Sequence, residues 1–282
     1  MKNTEEKGHI HPLTQVINQV VTAFHGMGFE VAEGPEIEDE FHNFDALNVP
    51  ADHPSRDMQD TFWIKDPKGA LSEELLAGRD NLGAEPKSQN LKPKTLLRTQ
   101  TSAVQIRFME EMLKSGGQPP LRIVVPGKVY RQEATDARHE SQFHQIEGLL
   151  VDKGVTVAHL KGYLEQFFES LYGADLSIRL RPSFFPFVEP GFEFDLVCIR
   201  CNDGHGKPVK GNQCALCSGT GWMEMGGAGM VHPNVFRAVG LDEKIWSGFA
   251  FGIGVERLAM TKWAIDDIRF FTNGDLRFLK QF

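Results

Sequence analysis

The sequence predicts an α+β fold organised on an antiparallel sheet flanked by helices. Two observations carry this. Stretches with strand-like alternation outnumber amphipathic helical ones, and successive strands follow one another as hairpins rather than through helical crossovers. That pattern weakens a dinucleotide-binding reading of Gly252-Ile253-Gly254-Val255-Glu256-Arg257, where arginine stands at the third glycine position of G-x-G-x-x-G. The chain has 282 residues, 41% hydrophobic and 24% charged, an ordinary composition for a soluble protein with a substantial core. A net charge of −8 opposes binding to nucleic acid or membrane through bulk charge, although it permits a local basic patch. The opening MKNTEEKGHI lacks a signal-peptide core, and no apolar run approaches the roughly 20 residues that span a bilayer. A cytoplasmic protein without a membrane partner is expected.

The elements follow in chain order. Leu13, Val16, Ile17, Val20, Val21 and Phe24 recur at helical spacing behind Pro12, which a first turn tolerates, and Gly26 and Gly28 mark the end. Phe29-Glu30-Val31 predicts a short strand running into Gly34-Pro35. Residues 65–94 are polar and rich in Gly, Pro and Lys, so they are expected to form a surface excursion, with a short helix around Glu73–Leu76. LLRTQTSAVQIRFMEEML turns helical, with Thr101 or Ser102 as N-cap. Residues 121–151 alternate as two antiparallel strands around the polar loop ATDARHESQ. VAHLKGYLEQFFESLYG predicts another helix, and LSIRLRPSFFPFVEP and GFEFDLVCIRC predict strands. WMEMGGAGMVHPNVF and GFAFGIGVERLAM, the latter a strand running into a helix, complete the order.

The four cysteines Cys198, Cys201, Cys214 and Cys217 form C-x2-C-x12-C-x2-C. In a reducing compartment this spacing suits a tetrathiolate zinc site better than disulfides. A zinc-binding insertion over 198–217 is expected, with glycines supplying its turns.

Arg131 and Glu133 share one strand face by the two-residue period, and Gln145 and Glu147 share one on the return strand. Between them lies a loop with Arg138, His139, Phe143 and His144. Arg131 and Arg257 offer planar guanidinium forks suited to phosphate or carboxylate. Gly252 and Gly254 make room for a flat ligand, and Arg257 at the helix start then binds a phosphate tail alongside the helix dipole.

Arg131-x-Glu133 with its long loop, and Gly252-x-Gly254-x-Glu256-Arg257, resemble motifs 2 and 3 of class II aminoacyl-tRNA synthetases. The first helix and the strand ending at Pro35 resemble motif 1. VYRQE, HQIEG, RPSFFPFVEPG, GGAGMVHPNV and GFAFGIGVERLAM are similar to the α subunit of bacterial phenylalanyl-tRNA synthetases, from about Ile10 to the final FLKQF.

The resemblance implies a class II catalytic domain over residues 1–282, which activates phenylalanine with ATP and esterifies the 2′-hydroxyl of the terminal adenosine of tRNA(Phe). Arg131 would grip the α-phosphate and the amino-acid carboxylate, and Glu133 and Phe143 would hold adenine. His139 would sit near the phosphates, Arg257 would clamp the γ-phosphate, and Glu189 would bind magnesium. Gln145, Glu147, Ser102 and Gln105 would receive the substrate ammonium. Phe185 and Phe187, alternating across Pro186, would pack on the aromatic ring above Val188 and Ala250. Gln100 stands where the family's R-T-H-T-S stretch has histidine, and about ten residues precede motif 1, where these α subunits carry a coiled-coil arm. No anticodon-binding module is expected after Phe282. The implied partner is a β subunit in an (αβ)2 assembly, or a homodimer through motif 1. A regulatory paralogue that senses an amino acid or adenylate without charging tRNA is the alternative, opposed by the presence of both Arg131 and Arg257.

Overall fold

A computed structural model of the chain describes residues 8–57, 60–64, 95–173, 176–201, 203, 214 and 216–282. The excursion over 65–94 and most of the segment between the cysteine pairs, with Gly204, Gly206 and Gly211, lie outside the described residues.

Seven strands form the main sheet: β1 (Glu30–Val31), β5 (Leu121–Tyr130), β6 (Gln142–Asp152), β7 (Ile178–Phe185), β8 (Val188–Val197), β9 (Trp222–Val231) and β10 (Ser247–Gly254). Their spatial order is β1-β5-β6-β10-β9-β8-β7. Every pairing is antiparallel except β1 with β5, which is parallel. A smaller sheet joins β2 (Ile37–Asp39), β3 (Trp63–Ile64) and β4 (Thr95–Leu97) in the order β2-β4-β3.

Helices cover both faces of the main sheet, which is why its strands carry apolar side chains on both sides. On one face α1 (Pro12–Gly26) packs against α3 (Val157–Tyr172) and α5 (Val255–Trp263). Phe24 of α1 sits at the centre of this layer, its ring 4.8 Å from Phe167 and 5.1 Å from Phe251. Pro12 occupies the first turn, as expected, and the His11 side chain caps the helix by accepting from the Leu13 N–H. On the other face α2 (Ser102–Lys114) and α4 (Pro233–Val239) cover Ile123, Val125, Leu149 and Val151. This second face holds the site.

Two local expectations need correction. The β5–β6 hairpin ends at the pair Tyr130–Gln142, so Arg131 and Glu133 lie beyond the strand rather than on it. LSIRLRPSFFPFVEP is not one strand: it folds back at Phe185-Pro186-Phe187-Val188, with Phe185 paired to Val188. Proline has no N–H for a ladder and its fixed φ suits the second position of a turn, so the chain reverses there.

Candidate active site

A cavity of about 650 Å³ opens on the sheet face that α2 covers, a volume typical of small-molecule sites. Register explains its walls. Gln145 pairs with Gly254, Glu147 with Gly252 and Leu149 with Ala250, so strand alternation delivers all six to the cavity.

Glu147 is the polar focus. Its side chain is buried, and the N-terminus of α2 is aimed at it. The Thr101 N–H donates to Oε1 at 3.0 Å, Gln105 Nε2 donates to Oε2 at 3.0 Å, and the Ser102 hydroxyl donates to the same oxygen. Burial pushes the Glu147 carboxyl above its ordinary pKa, opposed by these donors and by the charge of Arg131. Thr101 does stand at the N-cap position, but its side chain makes no cap hydrogen bond. The carboxylate of Glu147, brought from another strand, receives its N–H instead. Ser102 and Gln105 therefore act as donors to Glu147, and the negative charge left facing the cavity suits an ammonium group.

Arg131 enters from beyond the strand end. Its Nε donates to the Thr99 carbonyl at 3.2 Å, and its guanidinium lies 5.1 Å from the centre of the Phe143 ring. Thr99 is in turn fixed by Asn43, whose amide exchanges bonds of 3.0 and 3.2 Å with the Thr99 hydroxyl and N–H. Asn43 also accepts, through its carbonyl, from Gln100 Nε2 at 3.4 Å. Sequence patterns do not single out Asn43 or Thr99, because nothing in a polar residue 56 positions away signals such a contact. Glu133, Phe143 and Gln100 all line the cavity.

The apolar end is built by Phe185, Phe187, Val188 and Ala250. The two rings are 6.0 Å apart and nearly parallel at 23°. They share the cavity because the turn folds them together, not because they alternate along a strand. Opposite them runs a glycine wall on β9 that strand periodicity alone does not mark. A Cβ at Gly227 would approach the Phe185 ring to 2.9 Å, and one at Gly226 would meet the Gly252 carbonyl oxygen at 1.9 Å. Side chains there are excluded by contact. At Gly254 an added Cβ would meet only Arg257 Cβ, at 3.7 Å, so that glycine does leave open space.

Three candidates stand apart from the cavity walls. His139 is exposed on the β5–β6 loop and folds back onto Asp136, at 2.9 Å. Glu189 is exposed, since the turn and an irregularity between Val188 and Gly191 direct it away. Arg257 lies at the rim, its Nε bonded to the carbonyl of Glu224 at 3.2 Å. Glu193 and Glu224, by contrast, line the cavity, and both pair with Arg181, at 2.9 and 3.1 Å. Glu256 plays a structural part. Both of its carboxylate oxygens accept from the His144 N–H, at 2.9 and 3.0 Å, tying β6 to α5.

The four cysteine sulfurs are buried and lie within 4.8 Å of one another, with Cys198–Cys214 at 3.8 Å and Cys201–Cys217 at 3.3 Å. A tetrahedral zinc with bonds of about 2.3 Å separates its sulfurs by about 3.8 Å, so the cluster fits that ion. None of the four is in a disulfide. Without a metal the thiols diverge: burial raises Cys198 and Cys201, while at Cys214 hydrogen bonds led by the Cys217 N–H outweigh burial and bring the pKa down to about 7.

The family model for the tRNA synthetases class II core domain (F) matches residues 1–282. The chain is 50% identical over 275 residues to the phenylalanine–tRNA ligase α subunit of Dehalococcoides mccartyi, covering 98% of this chain and 70% of that protein. It is 49% identical over 277 residues to the same subunit of Bacillus mycoides, with the same coverage. Among solved structures, pyrrolysyl-tRNA synthetase from Desulfitobacterium hafniense superposes with a TM-score of 0.61 at 15% identity, covering 94% of this chain and 74% of that one, a likeness of fold. The chain belongs to the class II tRNA synthetase core family and, within it, to the phenylalanine–tRNA ligase α subunits.

Proposed function

We propose that this cavity joins phenylalanine to AMP and passes the acyl group to tRNA(Phe). The observation that carries the reading is the pairing of a buried carboxylate, Glu147, with an aromatic-lined end in one cavity. An α-amino acid needs a negative charge for its ammonium, and an apolar slot selects an aromatic side chain from polar ones. The relatives named above are ligase subunits, and the sensor alternative finds no support among them.

Glu147 and Gln145 hold the ammonium, while the ring enters between Phe185, Phe187, Val188 and Ala250. Phe143 and Glu133 hold adenine. Arg131 spans the substrate carboxylate and the α-phosphate, and Arg257 holds the far phosphates. A carboxylate oxygen of phenylalanine attacks the α-phosphorus, a new P–O bond forms, the bond to the bridging oxygen breaks, and pyrophosphate leaves. The 2′-hydroxyl of the terminal adenosine then attacks the acyl carbon and AMP leaves. No protein nucleophile is required; placement and charge stabilisation carry the rate. Class II synthetases use ATP with magnesium, which neutralises the polyphosphate when bound; Glu224 and Glu193, which line the cavity where Glu189 does not, would hold it. Cys198, Cys201, Cys214 and Cys217 would hold a structural zinc ion, whose chemistry would be to tie the two cysteine pairs together. A β subunit is the expected partner, and no described helix is long and apolar enough to cross a membrane.

Phenylalanine-dependent ATP–pyrophosphate exchange, with tyrosine as comparison, tests the reading. Exchange with phenylalanine well above tyrosine is expected, and absence of exchange in a folded sample supplied with β subunit contradicts it. Ala250→Gly removes a methyl group from the apolar end. It is expected to improve kcat/KM for para-chlorophenylalanine relative to phenylalanine by about tenfold or more, the scale of one methylene-sized group in a pocket. Unchanged discrimination would place the ring elsewhere.

A further inference from the structure

We propose that Asn48, itself no part of the cavity wall, is a positioning residue that sets the fit for phenylalanine by holding the Phe185-Pro186-Phe187 turn in place. This rests on the cavity being the amino-acid site argued above.

Both aromatic rings of the slot ride on this turn, and its carbonyls are held from outside the β7–β8 hairpin. Pro186 is buried, and its carbonyl accepts from Asn48 Nδ2 at 2.7 Å. The Phe187 carbonyl accepts from the His232 N–H at 2.9 Å. A buried carbonyl left without a donor is costly, so the turn sits where these two donors place it. Asn48 is aimed in its turn. Its Oδ1 accepts from Asn234 Nδ2 at 2.7 Å, and Asn234 Oδ1 accepts from the Arg237 guanidinium. A guanidinium can only donate and a backbone carbonyl can only accept, so the direction of both amides is fixed along this relay. Asn234 and Arg237 belong to α4, whose Val235 lines the cavity.

The backbone of Asn48 points the same way. Its φ is 58°, in the left-handed region that most side chains avoid and that asparagine tolerates. The Asn48 N–H donates to the Asp45 carbonyl and the Val49 N–H to the Phe44 carbonyl, each at 3.0 Å. This tight turn brings Leu47 and Val49, on either side, to the cavity while the Asn48 amide reaches Pro186. Glycine would adopt such a backbone with less strain, so the conformation alone does not call for a side chain. The amide supplies what glycine lacks, a donor at a fixed point. The rings of Phe185 and Phe187 are 6.0 Å apart, and a turn released at Pro186 would move both relative to Val188 and Ala250. The slot that receives the substrate side chain would lose its shape without losing a wall residue.

The test is pyrophosphate exchange by the full chain with its β subunit, comparing the unaltered protein with Asn48→Gly and Asn48→Asp. Glycine keeps the backbone conformation and removes the amide. Aspartate keeps the size and the tolerance of positive φ but has no N–H to give Pro186. Both variants are expected to raise the KM for phenylalanine about fivefold or more, the scale of one hydrogen bond, with the KM for ATP unchanged. Their preference for phenylalanine over para-chlorophenylalanine should narrow. Asn234→Ala should act in the same direction and less strongly, since it removes the aim of the amide and leaves the donor. If either Asn48 variant handles phenylalanine like the unaltered protein, or if the KM values for phenylalanine and ATP rise together, Asn48 does not position the slot, while the amino-acid site stands. An unaltered protein without phenylalanine-dependent exchange overturns the underlying reading and the proposal with it.

Discussion

Arg131→Ala is expected to lower phenylalanine-dependent pyrophosphate exchange by about a hundred- to a thousandfold, the cost of deleting one preorganised donor to a developing charge. The geometry explains why one residue carries so much. The Arg131 Nε is held by the Thr99 carbonyl, and the Phe143 ring supports the guanidinium plane. Asn43 fixes Thr99 in turn. On the proposed reading the terminal nitrogens would reach the reacting oxygens without reorganisation when charge develops on the α-phosphate. Burial lowers the Arg131 pKa, yet a guanidinium begins so high that it stays charged at neutral pH. Arg131→Lys should recover little, because an ammonium cannot span two oxygens as a planar fork does. Exchange rates together with melting temperature check this. A variant that melts like the parent and retains most of its activity would remove Arg131 from the chemistry.

The second large effect concerns stability. Chelation of zinc, or Cys198→Ser, is expected to lower the melting temperature by about 10 °C or more. Structural zinc contributes several kcal/mol to folding, and each kcal/mol shifts the midpoint of a domain near this size by about 2–4 °C. Cys198 follows directly on β8, where its N–H donates to the Gly221 carbonyl at 2.8 Å, one rung beyond the pair Val197–Trp222. The metal would therefore clamp the open end of the β8–β9 pair, whose strands carry Val188, Glu193 and Glu224 into the cavity. Loss of exchange should accompany the loss of stability. Metal analysis of protein purified without chelator decides the premise: well under one zinc per chain would leave four thiols and no clamp.

What the sequence discloses, and what it does not, follows from the range of each interaction. Strand periodicity and hairpin spacing are local, so the antiparallel sheet and the cavity faces of Gln145 and Glu147 are legible. Periodicity also places Phe185 and Phe187 together, but for the wrong local reason, since Pro186 turns the chain instead of continuing the strand. The same reversal leaves Glu189 exposed, since its face depends on counting residues through a turn and an irregular pairing. His139 is expected at the phosphates by resemblance to motif 2, yet Asp136, three residues away, holds its ring. The contacts that define the environment of Glu147 join residues 42–46 positions apart, and those of Asn43 span 56. Spacing rules do not reach that far. The glycines of β9 escape a reading by periodicity because their role lies in the backbone and aromatic ring opposite them, at Gly252 and Phe185.

The most direct test is a crystal structure of the chain, with its β subunit where required, bound to a non-hydrolysable phenylalanyl-adenylate analogue. The predicted result is the phenyl ring beside Phe185 and Phe187 above Ala250, the ammonium at Glu147, the adenine on Phe143, and the linking group at Arg131. An analogue bound elsewhere, or with its amino acid and adenine ends exchanged, would contradict the assignment of this cavity.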